Sequence, residues 1–422
     1  MADLTESGAE FDSGVLGSRA LLPGRPGFWS YSSLKEIEAC PRRYALVRAT
    51  FPDLWAGYGY PAMPSLAALF GDIVHGSLEI IVKRLAAAGC TGPRSTRAVD
   101  VLKSLGGYTR VAEQVLNRLL AQLDGNPRLS PDQRRRLATA LGDRLTEARS
   151  QIQEYLSRAH FPATNSAPDD AATDGPTTGD ATTQDQDATV TKRNEASPGT
   201  HPEIKLVAGD LRLHGRIDVL AVRDESADII DYKTGAEDPA HLDQLALYAL
   251  LWNLDGVANP KGLPVNTLTA AYARHDVTVC APDESRLRDL ETATRERIDA
   301  ADTSAELNPP EARPSELCLM CPVRGLCDAY WASIAPDYTT LADGDWFDLE
   351  GTIGIQNGPR SWWVHDHSGS RHVLLRTTPS TKPFENGARV RILGVKREPD
   401  PEEGTPIAVM SANSEVLTLV GE

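Results

Sequence analysis

Apolar residues recur at helical spacing through the first third of the chain, switch to alternation in its middle, and alternate again toward its end. Tyr31-Ser32-Ser33-Leu34 opens a short helix, with Ser32 or Ser33 as its cap and Glu36 as a capping-box partner. Leu66 to Ala88 carries a strong helical pattern that ends near Gly89, and Val99 to Arg158 continues as further helices. Ser130-Pro131-Asp132-Gln133 marks a start inside that stretch: a capping serine, a proline at the first helical position and a glutamine three residues after the serine. From Ile204 the period becomes that of strands, over Leu206 to Ala208, Leu211 to Val222 and Ile229 to Lys233, with Arg223 to Ser226 a turn. His241 to Leu254 returns to helix, Thr267 to Cys280 reads as one more strand, and Glu284 to Ala301 as a charged amphipathic helix.

After Asp337 the pattern changes once more. Leu349 to Ile355, Ser361 to His365, His372 to Thr377, Arg389 to Val395 and Ile407 to Met410 predict five short strands separated by Gly, Pro, Asn and Asp. Strands of this number and spacing fit a small all-β barrel, OB-like or another small barrel, over 337–422. The fold class is therefore α/β: a mixed core with a helical insertion, followed by the barrel. Met1 to Phe28 reads as a polar, Gly-rich disordered tail, and no internal repeat is evident.

Composition adjusts this picture in three places. Among 422 residues, 41% are hydrophobic, enough for a sizeable core and two or three domains. The longest apolar stretches, such as Leu245 to Trp252, fall far short of a membrane span, and no basic segment followed by an apolar one opens the chain; a cytoplasmic location is expected, with no membrane partner. The net charge of −16 argues against a polyanionic partner. Its distribution softens that objection. Seven acids (Asp169, Asp170, Asp174, Asp180, Asp185, Asp187 and Glu195) face only Lys192 and Arg193 in an Ala-, Thr-, Asp- and Gly-rich stretch. That stretch lacks apolar periodicity, so 162–203 is expected to be a disordered acidic insert. Arg134, Arg135 and Arg136 are read as a solvated helix face ahead of a basic patch.

The chemistry concentrates in two groups. Asp231 and Lys233 stand two apart in a strand pattern and so share a face, and Asp218 lies on the preceding strand, which a short turn folds back beside Asp231. Paired carboxylates bind a divalent cation through oxygen, and an adjacent ammonium orients water or offsets charge building on a phosphate. His75 adds a nitrogen donor from the earlier helix, with Gly71 and Glu79 four residues to either side; a mixed nitrogen and oxygen set suits Mn²⁺ or Mg²⁺. A lone Asp-x-Lys is most often a solvated strand end, and a lone helical histidine is most often structural. In the second group, Cys318-x-x-Cys321-x₅-Cys327 forms a tight three-thiolate loop with one position open. Cys40, beside Pro41, is a candidate for that position, and either a structural zinc or an iron–sulfur cluster uses four thiolates. Cys90 and Cys280 fall outside the pattern and read as ordinary buried thiols.

Order matters more than any single residue. Gly71-x₃-His75-x₃-Glu79, then Gly215-Arg216-Ile217-Asp218, then Asp231-Tyr232-Lys233-Thr234-Gly235, then Gln244-x₃-Tyr248 closely resembles the RecB-like branch of the PD-(D/E)XK nucleases, which includes AddB-type and CRISPR-associated exonucleases. The resemblance covers most of Tyr31 to Trp331 apart from the acidic insert, and implies a restriction-endonuclease-like core over 29–336. It implies that His75, Asp218 and Asp231 are metal ligands, that Tyr232 supplies its backbone carbonyl, and that Lys233 is the catalytic lysine. Gln244 and Tyr248, one helical turn apart, would contact DNA or brace the site. The family is also similar in placing one cysteine before the core and three after it, which favours a [4Fe–4S] cluster on Cys40, Cys318, Cys321 and Cys327.

Three functions follow from these expectations. The first is an exonuclease on single-stranded DNA ends in recombination, repair or CRISPR adaptation. The second is a nucleic-acid-binding module with an inactive centre, against which the intact ligands and Lys233 argue. The third is the nuclease or accessory subunit of a helicase–nuclease complex; without a G-x₄-G-K-[ST] motif, any helicase motor or recombination partner is another chain. In the barrel, Trp346, Phe347, Trp362, Trp363, Arg389 and Arg391 are candidates for stacking on bases or holding a strand, or else for packing the barrel itself.

Overall fold

The computed structural model describes residues 10–12, 19–51, 59–159, 193–366, 369, 371–378, 383–399 and 406–419. The chain opens with an antiparallel pair, β1 (Glu10–Asp12) and β2 (Arg19–Leu21). Leu21 then bridges to Thr50, and Ala20 and Leu22 are buried with Leu46, Phe51 and Leu326. This corrects the reading of 1–28 as a tail: a few apolar residues among polar ones suffice to pin 19–28, whereas 1–9 and 13–18 lie outside the described residues. Helix α1 (Tyr31–Ala39) is capped by Ser30, earlier than expected, in a capping box with Ser33. Cys40 ends α1 and caps α2 (Pro41–Arg48).

Helices α3 (Leu66–Ala87), α4 (Thr96–Ser104), α5 (Gly107–Gln122), α6 (Pro131–Asp143) and α7 (Leu145–Arg158) form the helical insertion. The Ser130–Gln133 capping box stands at the start of α6 as expected. Arg134 pairs with Asp124 and Arg135 with Asp132, which makes the arginine run a salt-bridged, exposed helix face.

The central sheet runs in the order β3 (Gly199–Ala208), β4 (Leu213–Val222), β5 (Ala227–Lys233), β6 (Val265–Tyr272), β7 (Asp276–Cys280). Only β5 and β6 are parallel, joined through α8 (Ala240–Leu254). One face packs on α8, on α9 (Glu284–Glu306) and on Trp29, Leu34 and Ile37 at the N-terminal side; the other packs on α3, α5 and α7. Two expectations change here. Strand β3 starts at Gly199, inside the expected acidic insert, because Ala196 is buried and bonds to Ala258; 160–192 lie outside the described residues. Thr267 to Cys280 is a hairpin of two strands, closed where Tyr272 N donates to His275 O.

After two single-turn 3₁₀ helices (Glu316–Met320 and Arg324–Leu326) and α10 (Asp328–Ser333), five strands close a barrel: β8 (Trp346–Gln356), β9 (Ser361–His365), β10 (His372–Arg376), β11 (Arg389–Glu398) and β12 (Ile407–Thr418). Neighbours around the barrel run β8-β9-β10-β12-β11 and back to β8, and β10 meets β12 in parallel. Phe347 and Trp362 fill its core, and Arg391 is buried against Asp328 and Glu350, so these three do not face a strand of nucleic acid. Trp346 is exposed and Trp363 half-buried.

Candidate metal centre and cysteine cluster

Register builds the site before any side chain is considered. Along the β3–β4 ladder Pro202 pairs with Val219 and Ile204 with Ile217, so Glu203 falls opposite Asp218. Along β4–β5 Val219 pairs with Ile230, and one step further Asp218 stands across from Asp231. Three carboxylates thus lie in one row across three adjacent strands, at the inter-strand spacing of roughly 5 Å. Helix α3 lies over this end of the sheet and contributes Gly71, His75, Glu79 and Lys83, each four residues apart and therefore on one stripe. A Cβ on Gly71 would come within 2.9 Å of Thr234 Oγ1, so the glycine lets the helix approach the end of β5.

The residues expected from sequence converge. His75 Nδ1 is 3.7 Å from Asp218 Oδ2. The same oxygen accepts from the Tyr232 N–H at 2.7 Å, which fixes the carboxylate against β5. Lys233 makes an ion pair with Asp231 and donates to Gln244 Oε1 at 2.8 Å, and Gln244 Nε2 donates to Tyr248 OH at 2.7 Å. Gln244 and Tyr248 therefore brace the lysine from α8. The brace depends on Gly215, where a Cβ would stand 2.9 Å from Tyr248 Cε1 and 2.8 Å from Leu251 Cδ1. Tyr232 turns its ring to the opposite side, edge-on to Tyr155, whose hydroxyl donates to Lys233 O at 2.7 Å.

Electrostatically the centre is short of positive charge. Burial, with Asp231 and Glu203 beside it, pushes the Asp218 carboxyl well above its ordinary value. Burial next to Glu79 likewise raises Glu203 to about 7. Burial, aided by Lys233 and opposed by Asp231, lowers the His75 pKa below its ordinary value. Asp231 is 4% exposed, and its Oδ2 takes no aligned hydrogen bond although the Lys233 ammonium adjoins it. Among the described residues no three His, Cys, Asp or Glu side chains stand closed into a metal-holding group. The donor set nonetheless suits a hard divalent cation: crowded buried carboxylates that share one lysine, and one imidazole nitrogen donor.

Two residues near the centre were not singled out from sequence. Glu203 lies between the Gly71–Glu79 motif and the Gly215–Asp218 motif and belongs to neither, and its place follows from register alone. His241, whose Nδ1 lies 2.8 Å from Tyr272 OH, feels both Lys233 and Asp231; its only sequence signal was a position one turn before Gln244.

The four clustered cysteines line one pocket together with Arg42, Arg43, Arg313 and Arg324. Cys40 Sγ accepts from Arg43 N and Cys318 Sγ from Ser315 N, each at 3.4 Å. Burial pushes the Cys321 thiol up to about 11, with Cys318 and Cys327 adding to it, and burial raises Cys327 with Cys40 contributing. Half-buried thiols held near one another and flanked by arginines are suited to losing protons to a metal. Cys90 is buried as expected, but Cys280, at the end of β7, is exposed, because it points away from the sheet's packed face.

No helix among the described residues is long and apolar enough to cross a membrane. No curated protein sequence matches the chain. Among solved structures, the OB domain of a Methanosarcina mazei protein covers 21% of this chain and 84% of its own, at 13% identity and TM-score 0.18. The p204 HINb domain covers 26% and 55%, at 13% identity and TM-score 0.19. A murine DNA-binding protein bound with double-stranded DNA covers 53% and 95%, at 10% identity and TM-score 0.17. Scores this low leave the assignment to the family model of the PD-(D/E)XK nuclease superfamily, which matches residues 28–328 and so spans α1, the sheet and the cysteine loop. With Asp218 and the Asp231-Tyr232-Lys233 triplet meeting in one cleft inside that match, the chain belongs to the PD-(D/E)XK nuclease superfamily.

Proposed function

We propose that the protein is a divalent-metal-dependent deoxyribonuclease of the RecB-like type, acting as an exonuclease on single-stranded DNA ends. The observation that carries this reading is the convergence of His75, Asp218, Asp231 and Lys233 on one end of the sheet. A cation held by His75, Asp218, Asp231 and the Tyr232 carbonyl, Mn²⁺ or Mg²⁺, would supply Lewis-acid activation of water and of the phosphate. The chain's own residues do the rest. Lys233 holds a positive charge where a phosphate oxygen gains negative charge, and Gln244 keeps that ammonium from swinging away. His75 would offer a ring nitrogen, and the Tyr232 N–H fixes the rotamer of Asp218.

Residues 29–336 form the nuclease domain in this proposal, and 337–422 an OB-type barrel that guides the strand. The barrel carries an open groove of about 590 Å³ lined by Trp363, His365 and His372, a neutral, aromatic surface suited to bases rather than phosphates. Cys40, Cys318, Cys321 and Cys327 hold a [4Fe–4S] cluster that staples the two ends of the nuclease domain; their shared pocket supports a four-thiolate site. The partner is DNA in recombination, repair or CRISPR adaptation, with any helicase supplied by a separate chain.

Two measurements test this. A labelled linear single strand is degraded with Mn²⁺ or Mg²⁺ while a circular one survives; cleavage of the circle replaces exonuclease with endonuclease action. Anaerobically purified protein is expected to show broad visible absorption and bound iron and sulfide. Stoichiometric zinc without iron rejects the cluster.

A further inference from the structure

Four positions form a frame where β5 and β6 end. Lys233 closes β5 and Tyr272 closes β6, and the two pair directly across the parallel ladder. From α8, the crossover between these strands, Gln244 accepts from Lys233, and His241 one turn earlier lies with Nδ1 2.8 Å from the Tyr272 hydroxyl. Helix positions three apart share a face, so the imidazole borders the lysine. Ligands of sheets with parallel strands bind in the crevice beyond the carboxyl ends of those strands, which is where this frame stands. Tyr272 is 5% exposed and its ring is clamped: His275 stacks on it at 5.2 Å between centroids and pairs with Glu237 at 2.6 Å. Its hydroxyl therefore holds the half-buried His241 in one orientation. Among the described residues nothing bonds to the other ring nitrogen, Nε2. The charged groups that face the imidazole are Lys233, Asp238, Asp231 and the exposed Lys35 of α1. Asp231 is engaged by Lys233, and Asp238 caps the backbone N–H of Ala240 at 2.9 Å, so Lys35 is the charge left to draw an anion to this edge.

We propose that His241 is a substrate-binding residue, donating from Nε2 to a non-bridging oxygen of the strand phosphate next to the one cleaved, with Tyr272 as the residue that positions it. This rests on the nuclease reading above and says how that site takes hold of a strand. Which nitrogen of a histidine carries the proton is set by the bond the other makes. A tyrosine hydroxyl donating to Nδ1 leaves Nε2 as an N–H donor, the form an anionic oxygen accepts from. One helical turn, about 5.4 Å, separates His241 from the residue that holds Lys233, which places it at the neighbouring phosphate rather than the same one. Phosphate contacts fix register and carry no sequence information, so His241 sets where the strand stops against Lys233, whichever base lies there.

Variants of the full chain separate the two ring nitrogens. His241→Asn keeps a group near Nδ1 that reaches Tyr272 and loses the outer donor; His241→Gln carries an N–H near the place of Nε2. Steady-state cleavage of a labelled single strand with Mn²⁺ is expected to show KM raised about tenfold or more in His241→Asn, with kcat changed far less, and restored to within about threefold of wild type in His241→Gln. Tyr272→Phe keeps the ring and removes only the hydroxyl; it is expected to raise KM severalfold, and it decides the matter if His241→Asn does not fold. One neutral methylphosphonate beside the mapped cleavage site is expected to weaken binding to wild type and to leave His241→Asn indifferent. A histidine that serves only to brace Tyr272 gives the reverse order, Asn tolerated and Gln impaired. That order, an unchanged KM in Tyr272→Phe, or equal loss from the methylphosphonate in wild type and His241→Asn, overturns the assignment while the nuclease reading stands. A wild type that cleaves no strand with Mn²⁺ rejects the nuclease reading, and this assignment with it.

Discussion

At the residue scale, the site depends on close approaches as much as on charged groups. Gly215 has no function of its own, yet it lets Tyr248 lie against β4 and so sets the position of Gln244 and Lys233. Gly215→Ala is expected to destabilise by about 1–3 kcal/mol through overpacking. Activity should fall further than that loss explains, checked by comparing cleavage at a temperature where both proteins are folded. Asp228 provides a test of pH dependence away from the metal centre. Its burial acts to raise the pKa, but hydrogen bonds from Thr267 and Arg223 outweigh that and hold it below the ordinary value. A folded pKa below the unfolded one gives stability that is present above the unfolded value of about 3.9 and lost as pH falls through the folded value. Asp228→Asn should therefore melt lower than wild type at neutral pH, with the difference closing under acid; a constant gap across that window contradicts the assignment. That Asp218, Asp231, Lys233, His75, Gln244 and Tyr248 come together was legible in sequence because their spacing repeats a pattern. The position of Glu203 opposite Asp218 was not, because it arises from strand register, which spacing does not encode.

At the element scale, helices with strong caps and strands with sharp turns were readable. The Ser130–Gln133 box starts α6 where expected, and Ser130→Ala should cost about 1 kcal/mol in a denaturant titration. The five barrel strands also fall where alternation placed them, extended by several residues at Trp346, Glu398 and Thr418. The misreadings have two causes. The bend between β6 and β7 passes through Ala273-Arg274-His275, with no Gly, Pro, Asn or Asp to announce it. The pairing of β1 with β2 and the start of β3 at Gly199 lie in polar, Gly- and Thr-rich sequence. There, tertiary contacts through Ala20, Leu22 and Ala196 order segments whose composition alone favours disorder.

At the scale of the whole molecule, the cysteine loop, α10 and the barrel meet around one buried carboxylate. Asp348 accepts from Arg324 Nε at 2.6 Å, Tyr330 OH at 2.8 Å and Gly394 N at 2.7 Å. Arg391 donates to Gly325 O at 3.2 Å and to Asp328 at 2.7 Å, and the helical insertion reaches the barrel through Arg128 and Glu415 at 2.8 Å. Because Arg324 lies between Cys321 and Cys327, the loop that carries the thiols also anchors the barrel. Asp348→Ala strands a largely buried arginine and should cost about 3–5 kcal/mol, with protease cutting between α10 and β8 as the visible sign. None of this anchoring was legible in sequence, since its partners are far apart in the chain and each is ordinary alone. The cleft it supports makes one chemical claim above the others, that Asp231 and Lys233 act with a divalent cation on a phosphodiester. The direct measurement is Mn²⁺-dependent release of nucleotides from a labelled single strand by wild type, Asp231→Ala and Lys233→Ala, each verified as folded. The account predicts cleavage by wild type alone; cleavage that persists in both variants contradicts it.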